Sequence, residues 1–203
     1  MHIYFKMEKK QIKKDLRQEI EIPEGIEGII EGKEIILKKG SDELKRKLSS
    51  LIDTKIEGNK IILEVKNVKK NHKKMFGTMK AHIKNMVNGL TEKFKYKLEI
   101  ANVHFPMTVK LDDAKNELII NNFLGEKIDR RIKLVPGVDV KVNKEFIEIE
   151  GIDKEKTGQC AANIEKGAKP KNKDRRIFQD GIYIIEKPGR KFLWERKNSR
   201  EQM

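Results

Sequence analysis

The sequence predicts an α+β fold made of two tandem similar domains, each a small, mostly antiparallel sheet with one covering helix. Three observations predict it: apolar residues alternate with polar ones along much of the chain, two segments carry a helical stripe instead, and the two halves resemble each other. A length of 203 residues with 37% hydrophobic content suits two modest domains, each with a small core.

The alternating segments predict half-buried strands, because successive side chains of a strand point to opposite faces. The clearest alternating runs are 94–100, 107–111 and 138–142. Residues 56–65 are expected to form a hairpin that turns at 58–59, and residues 140–151 a second one that turns around 143–144. Strands are therefore expected to dominate both halves.

Two segments show apolar spacings of three and four, which indicate helices. The apolar stripe of the first helix is Met75, Met79, Ile83, Met86 and Leu90. Gly89 is its candidate C-cap. The second helix is expected to start after Asp153 as N-cap and to stop near Gly167, because Pro170 prevents a restart.

The two halves align with each other, which suggests a duplicated unit. "PEGIEGIIEGKEIILKKG" resembles "PMTVKLDDAKNELIINNFLG", the two hairpins correspond, and "GTMKAHIKNMVNG" corresponds to "TGQCAANIEKGAK". We interpret the chain as two copies of a β-β-β-β-α unit whose sheet is covered on one face by the helix. The expected divisions are an N-terminal extension at 1–18, domains at 19–92 and 93–186, and a basic tail at 187–203 with a possible anchor at 192–194.

The charge balance predicts a polyanionic partner. Lys and Arg number 46 against 32 Asp and Glu, so the net charge is +14 and attracts nucleic acid or an anionic membrane surface. One cysteine allows no internal disulfide, and the sequence shows neither a signal peptide nor a membrane-spanning apolar run. A soluble, cytosolic protein is expected, with at most a peripheral contact to a membrane.

Three segments of the sequence are rich in basic residues. Residues 66–91 hold seven lysines and no carboxylate, and Lys80 and Lys84 are expected to point away from the apolar stripe of the helix. "KGAKPKNKDRR" at 166–176 and "GEKIDRR" at 125–131 are the other two. Lysine runs can serve solubility alone, but three runs at related places favour contact with phosphates. The aromatic content of 6% favours phosphate and sugar contacts along helical RNA over base stacking.

Residue patterns for catalysis or metal binding are weak. The histidines His2, His72, His82 and His104 are scattered, without a nearby partner at ligand spacing, so no metal site is expected. Cys160, beside two alanines, is expected to be a packed thiol and not a nucleophile. We therefore predict no catalytic residues and no cofactor.

Several blocks of the sequence resemble one known family. "NVHFPMTV", "NNFLGEKIDRR", "VPGVDVKV", "IEIEGIDKEKTGQCAANI" and "KNKDRRIFQDGIYIIEK" are similar, in order and spacing, to the large-ribosomal-subunit protein family called L-six in bacteria and L-nine in eukaryotes. The similarity covers about residues 20–187, and its last block resembles the eukaryotic and archaeal branch.

The resemblance implies a two-domain structural protein that binds ribosomal RNA near the sarcin-ricin region, close to the stalk base and other large-subunit proteins. It also implies a cytoplasmic ribosomal location, possible nucleolar transit during assembly, no homo-oligomer and no membrane. The expected RNA contacts are residues of two basic blocks and of the first helix: Lys127, Arg130, Arg131, Lys169, Lys171, Asn172, Lys173, Arg175, Arg176, Lys80 and Lys84. Residues 38–42, "KKGSD", depart from the family's usual "KGPRG" turn, so no contact is assigned there.

Two other classes of function compete with this one. An RNA-modifying or RNA-cleaving enzyme would need clustered acids or a histidine pair in a cleft. A peripheral membrane module would use the same positive charge on anionic lipid. In the ribosomal interpretation, the lysine side of the first helix meets RNA or a neighbouring protein.

Overall fold

The computed structural model describes residues 15–66, 68–174 and 176–191. The chain divides into two compact units, unit 1 (Met1–Leu90) and unit 2 (Thr91–Met203). In the described residues each unit combines small antiparallel sheets with one long helix, which confirms the predicted α+β class. The domain limits 19–92 and 93–186 remain predictions.

Unit 1 has six strands and one helix in the part of the chain that the structure describes. These elements are β1 (Leu16–Glu21), β2 (Glu27–Glu31), β3 (Glu34–Lys39), β4 (Asp42–Lys47), β5 (Asp53–Glu57), β6 (Lys60–Val65) and α1 (Lys70–Thr91). They form two antiparallel sheets with strand orders β1-β6-β5 and β2-β3-β4. The predicted hairpin at 56–65 is confirmed, since β5 and β6 flank a turn at 58–59.

The expectation of four strands per unit was wrong, and in unit 1 the middle strands are buried on both faces. β3 buries Ile35, Ile36 and Leu37 in succession, and β6 buries 61–63 in the same way. A continuous apolar run carries no alternation signal. In unit 2 the runs 117–121 and 146–151 keep their alternation, so this reason applies to unit 1 alone.

Helix α1 follows the predicted stripe with two corrections. Its buried residues are Phe76, Met79, Ile83, Met86, Val87, Gly89 and Leu90. Met75 is 41% exposed, and Phe76 occupies the inward position beside it. Gly89 is buried inside the helix, which continues to Thr91, so it is not the C-cap.

Unit 2 has eight strands, one helix and a 3₁₀ turn at Phe123–Gly125 in its described residues. The other elements are β7 (Phe94–Ala101), β8 (Thr108–Asp112), β9 (Glu117–Asn121), β10 (Arg130–Lys133), β11 (Asp139–Val142), β12 (Phe146–Gly151), α2 (Lys154–Gly167), β13 (Gly181–Lys187) and β14 (Arg190–Lys191). The sheet orders are β11-β12-β7-β13-β14 and β10-β9-β8. The predicted hairpin at 140–151 is confirmed by the pairing of β11 with β12.

Helix α2 begins and ends as predicted. The Asp153 carboxylate accepts a hydrogen bond from the Glu155 backbone N–H at 2.9 Å, which satisfies one of the free donors of the first turn. The helix ends at Gly167. Cys160 and Ile164 on its inner face are fully buried in the core that α2 shares with both sheets of unit 2.

The two units share one strand order, as a duplication predicts. β5-β6-β1 in unit 1 corresponds to β11-β12-β7 in unit 2, and β2-β3-β4 corresponds to β8-β9-β10. Unit 2 adds β13, which pairs with the other edge of β7. β13 continues to β14 within the segment predicted as a tail, while the anchor at 192–194 and most of the N-terminal extension lie outside the described residues.

Candidate nucleic-acid interface

A groove of about 650 Å³ opens in unit 2 between β10 and the C-terminal end of α2. Its described lining residues are Arg130, Arg131, Ile132, Lys133, Asn163, Lys166, Gly167 and Lys171. Arginines and lysines dominate this set, and none of the lining residues that the structure describes is a carboxylate. Cations that converge on one concave surface attract a polyanion more strongly than scattered ones.

A close contact at Gly167 shapes the floor of the groove. A Cβ added to Gly167 would lie 2.6 Å from Ile132 Cδ1, so glycine lets the end of α2 pack directly on β10. In β10, Ile132 turns inward while Arg131 and Lys133 stay exposed. Arg131 and Lys133 therefore lie on the strand face opposite to Ile132, and all three line the groove together with Lys166 of the helix end.

Arg130 uses its guanidinium within the protein. Its Nε donates to Glu126 Oε2 at 2.7 Å, and its Nη1 donates to the carbonyl oxygens of Gly167 at 3.0 Å and Lys169 at 2.7 Å. The guanidinium also lies 3.9 Å above the Phe123 ring, and the side chain is only 11% exposed. The hydrogen bond from Arg130 holds the pKa of Glu126 below its usual range. Arg130 therefore joins three segments of unit 2.

The predicted basic loop follows α2 and is mostly exposed. Lys171, Asn172 and Lys173 are at its tip, with Asn172 in the left-handed region at φ 55°. The Asp174 carboxylate accepts from the Arg176 backbone N–H at 2.9 Å, which caps the turn. Lys173 Nζ lies 4.6 Å from the centroid of the Phe178 ring. Arg175 lies outside the described residues.

The buried carboxylate of Asp180 fixes the loop after β7. Its Oδ1 accepts from the backbone N–H groups of Val103 and His104, both at 2.9 Å, and its Oδ2 lies 2.6 Å from His104 Nδ1. Burial alone would raise the pKa of Asp180, but the hydrogen bonds to His104 and its neighbours lower it overall. Two chain segments separated by 76 residues are held together here.

The lysines predicted on the first helix differ in their surroundings. Lys80 is half-buried, lies outside the buried stripe of α1 and donates from its Nζ to Gln18 Oε1 at 2.9 Å. Lys84 is exposed. The two lysines are therefore not equivalent as contacts for a partner.

Within the described ranges the structure contains no group of three or more His, Cys, Asp or Glu that could hold a metal ion. No helix among the described residues is long and apolar enough to cross a membrane. The Cys160 thiol is fully buried and burial raises its pKa, which confirms the predicted packed thiol.

The structure brings three of the predicted contacts into the groove and adds two lysines that were not among the predicted contacts, although Lys166 belongs to the predicted basic run 166–176. Arg130, Arg131 and Lys171 line the groove together with Lys133 and Lys166. Charge alone could have suggested these last two lysines. Nothing in the sequence marks Asp180 or its hydrogen bonds to the loop after β7, because the partners are distant along the chain.

The chain consists of two α+β units, and the described residues of unit 2 form a cationic groove. The family model described as Ribosomal protein L6 matches residues 105–181. An archaeal relative from Methanococcus vannielii, named large ribosomal subunit protein uL6, is 48% identical over 176 residues, which cover 86% of this chain and 96% of the relative. The protein of the same name from Methanobrevibacter smithii is 45% identical over 174 residues, which cover 85% of this chain and 96% of that relative. The chain belongs to the ribosomal protein L6 family, in its archaeal-type branch, and its role is structural and not enzymatic.

Proposed function

We propose that this protein is a structural component of the large ribosomal subunit whose unit 2 binds ribosomal RNA near the sarcin-ricin region and the stalk base. The single observation that carries the RNA-binding role is the groove beside β10, lined by arginines and lysines without a carboxylate among its described residues. Membership of the ribosomal protein L6 family supports a place in the large subunit. The sequence resemblance to that family supports the proposed RNA region, near the sarcin-ricin region and the stalk base.

The groove binds RNA through its phosphates. Each cation that meets a phosphate releases condensed counterions, so the logarithm of the affinity falls with the logarithm of salt by about 0.7 to 0.9 per contact. Arg131, Lys133, Lys166 and Lys171 are exposed and meet the phosphates directly. Arg130 holds the groove in shape, and Lys127, Lys169, Lys173 and Arg176 extend the cationic surface beyond it.

Charge removal in the groove tests this function. The variant R131Q/K133Q/K166Q is expected to bind large-subunit RNA with a log-log salt slope that is smaller by about 2 to 3. The matched control K110Q/K141Q/K144Q removes the same charge from exposed positions of unit 2 outside the groove and is expected to keep the wild-type slope. Equal slopes for the two variants would show that only net charge matters and that the groove is not the RNA-binding site.

Footprinting tests the location. Addition of the full chain to large-subunit particles that lack it is expected to protect the sarcin-ricin hairpin and its neighbouring helices from hydroxyl radicals. The groove variant is expected to lose this protection, whereas the control variant keeps it. Protection of a distant RNA region alone would contradict the proposed place.

Unit 1 is proposed to face neighbouring large-subunit proteins or solvent, with exposed Lys84 on its outer surface. Cross-linking in intact particles is expected to join unit 1 or the tail to proteins of the stalk base. The ribosomal location is cytoplasmic, and nucleolar transit applies only to a host cell that has a nucleus.

A further inference from the structure

Four large apolar side chains are exposed at the loop end of unit 2. Val103 is 56% exposed, Phe105 44%, Ile128 83% and Ile177 61%. We call these four residues the apolar patch. Single exposed apolar residues are normal on a protein surface, so their significance depends on whether they lie together.

Contacts within the fold place the segments that carry the patch side by side. The Phe105 ring lies 3.8 Å from the position of a Cβ on Gly125, which precedes Ile128 in the same loop. Val103 and Phe105 flank His104, whose ring lies 5.3 Å from the ring of Phe178, the neighbour of Ile177. Three loops of unit 2 therefore meet where the patch is exposed.

Hydrogen bonds fix the backbone of two of the loops that carry the patch. Asp180, 1% exposed, fixes the backbone of 103–105, and the Asp174 carbonyl accepts from the N–H groups of Ile177 at 3.2 Å and Phe178 at 2.9 Å. Apolar side chains on such a rigid frame are pre-organised for a partner, which reduces the entropy lost on binding.

Lysines lie next to two of the loops that carry the patch. Lys127 precedes Ile128, and Lys171 and Lys173 are close enough to Glu126 to lower the pKa of its carboxyl. Among the nearby acids, Glu126 pairs with Arg130 and Asp180 is buried, whereas Asp129 and Asp174 are exposed. A partner that suits this surface carries negative charge together with flat apolar faces.

We propose that the apolar patch binds an unstacked base of the RNA whose phosphates lie in the groove, with Phe105 as the stacking surface; this rests on the proposed function. A base in a regular A-form helix offers no free face, whereas a base in a loop or bulge does. Stacking on one aromatic side chain strengthens binding whatever the identity of the base. The contact therefore selects an RNA with an unpaired nucleotide beside a helix.

The test compares F105A, F105W and wild type in the full chain, with L51A as the matched control because Leu51 is an exposed apolar residue of unit 1. F105A is expected to lower affinity for large-subunit RNA about 5- to 150-fold at every salt concentration, with an unchanged salt slope. F105W and L51A are expected to bind as wild type does. In footprinting, F105A is expected to expose one unpaired base while the backbone protection persists.

The outcomes separate this proposal from the proposed function. Wild-type affinity of F105A, with a steep salt slope retained, overturns base stacking and leaves the RNA-binding function intact. Failure of the wild type to bind overturns both. Unchanged RNA affinity together with the loss of a cross-link to a neighbouring protein assigns the patch to protein and also overturns the proposal. I177S, which alters a 61% exposed residue, gives a second variant if F105A unfolds at a lower temperature than wild type.

Discussion

The replacement of Arg130 by methionine separates a framework role from direct contact with RNA. Methionine keeps a long unbranched side chain but removes every N–H donor. In the structure those donors reach Glu126 and the carbonyl oxygens of Gly167 and Lys169. The variant therefore disconnects the loop before β10 from the segment after α2.

The expected loss of stability follows from the individual contacts. Glu126 is 41% exposed, so its ion pair contributes at most about 1 kcal/mol. The two hydrogen bonds to backbone carbonyls contribute about 1 kcal/mol each. The contact with the Phe123 ring adds about 0.5 to 1 kcal/mol. R130M is expected to lower the free energy of unfolding of unit 2 by about 3 kcal/mol, or its Tm by about 10 °C.

Denaturant and thermal unfolding of the full chain measure this loss. R131M is the matched control, because Arg131 is the exposed neighbour in β10, and its unfolding is expected within about 0.5 kcal/mol of wild type. RNA binding below the unfolding transition should show the reverse order: R131M lowers the salt slope by about 1, and R130M leaves it unchanged. The framework role is refuted if R130M unfolds like wild type and lowers the salt slope.

Three further predictions concern stability and reactivity. G167A is expected to destabilise unit 2 by about 1 to 3 kcal/mol, because the new Cβ meets Ile132 at 2.6 Å. G77A, which has open space around it in α1, is expected to stabilise the protein by about 0.5 to 1 kcal/mol. Thermal unfolding of the two variants gives opposite shifts in Tm unless the close contact is irrelevant. Because the folded-state pKa of Asp180 is lowered, its contribution to stability is present above the ordinary Asp pKa of about 3.9 and disappears as pH falls through the lower folded value. The difference in unfolding free energy between wild type and D180N should therefore shrink between pH 6 and pH 3. A difference that stays constant over this range argues against a role for the negative charge. Cys160 is expected to react with a thiol reagent only as fast as the protein opens, and fast labelling of the native protein contradicts its burial.

Sequence patterns predicted the elements in which one physical signal dominates. The hairpin at 56–65 could be predicted because alternation and a Gly-Asn turn agree, and α2 because Asp153 and Gly167 mark its two ends. The two-sheet arrangement of unit 1 escaped prediction, since Ile35, Ile36 and Leu37 are buried in succession and leave no period to detect.

The site was predictable in its charge but not in the roles of its residues. The basic blocks indicate where cations are, but whether a cation faces solvent depends on partners distant in sequence. Arg130 and Arg131 are adjacent and identical in the sequence, yet Arg130 is held by backbone carbonyls beyond α2 while Arg131 is exposed. The same limit hid the link between Asp180 and the loop after β7.

The position of β13 affects how the protein is made. β7 is a central strand of the five-stranded sheet, but the partner for one of its edges is synthesised about 80 residues later, at Gly181–Lys187. A nascent chain therefore carries an open strand edge in unit 2 through most of its translation, whereas unit 1 has both of its sheets complete by Val65. Because Asp180 immediately precedes β13, a translation product that ends before this point lacks both the strand that covers this edge of β7 and the carboxylate that fixes the loop carrying Phe105.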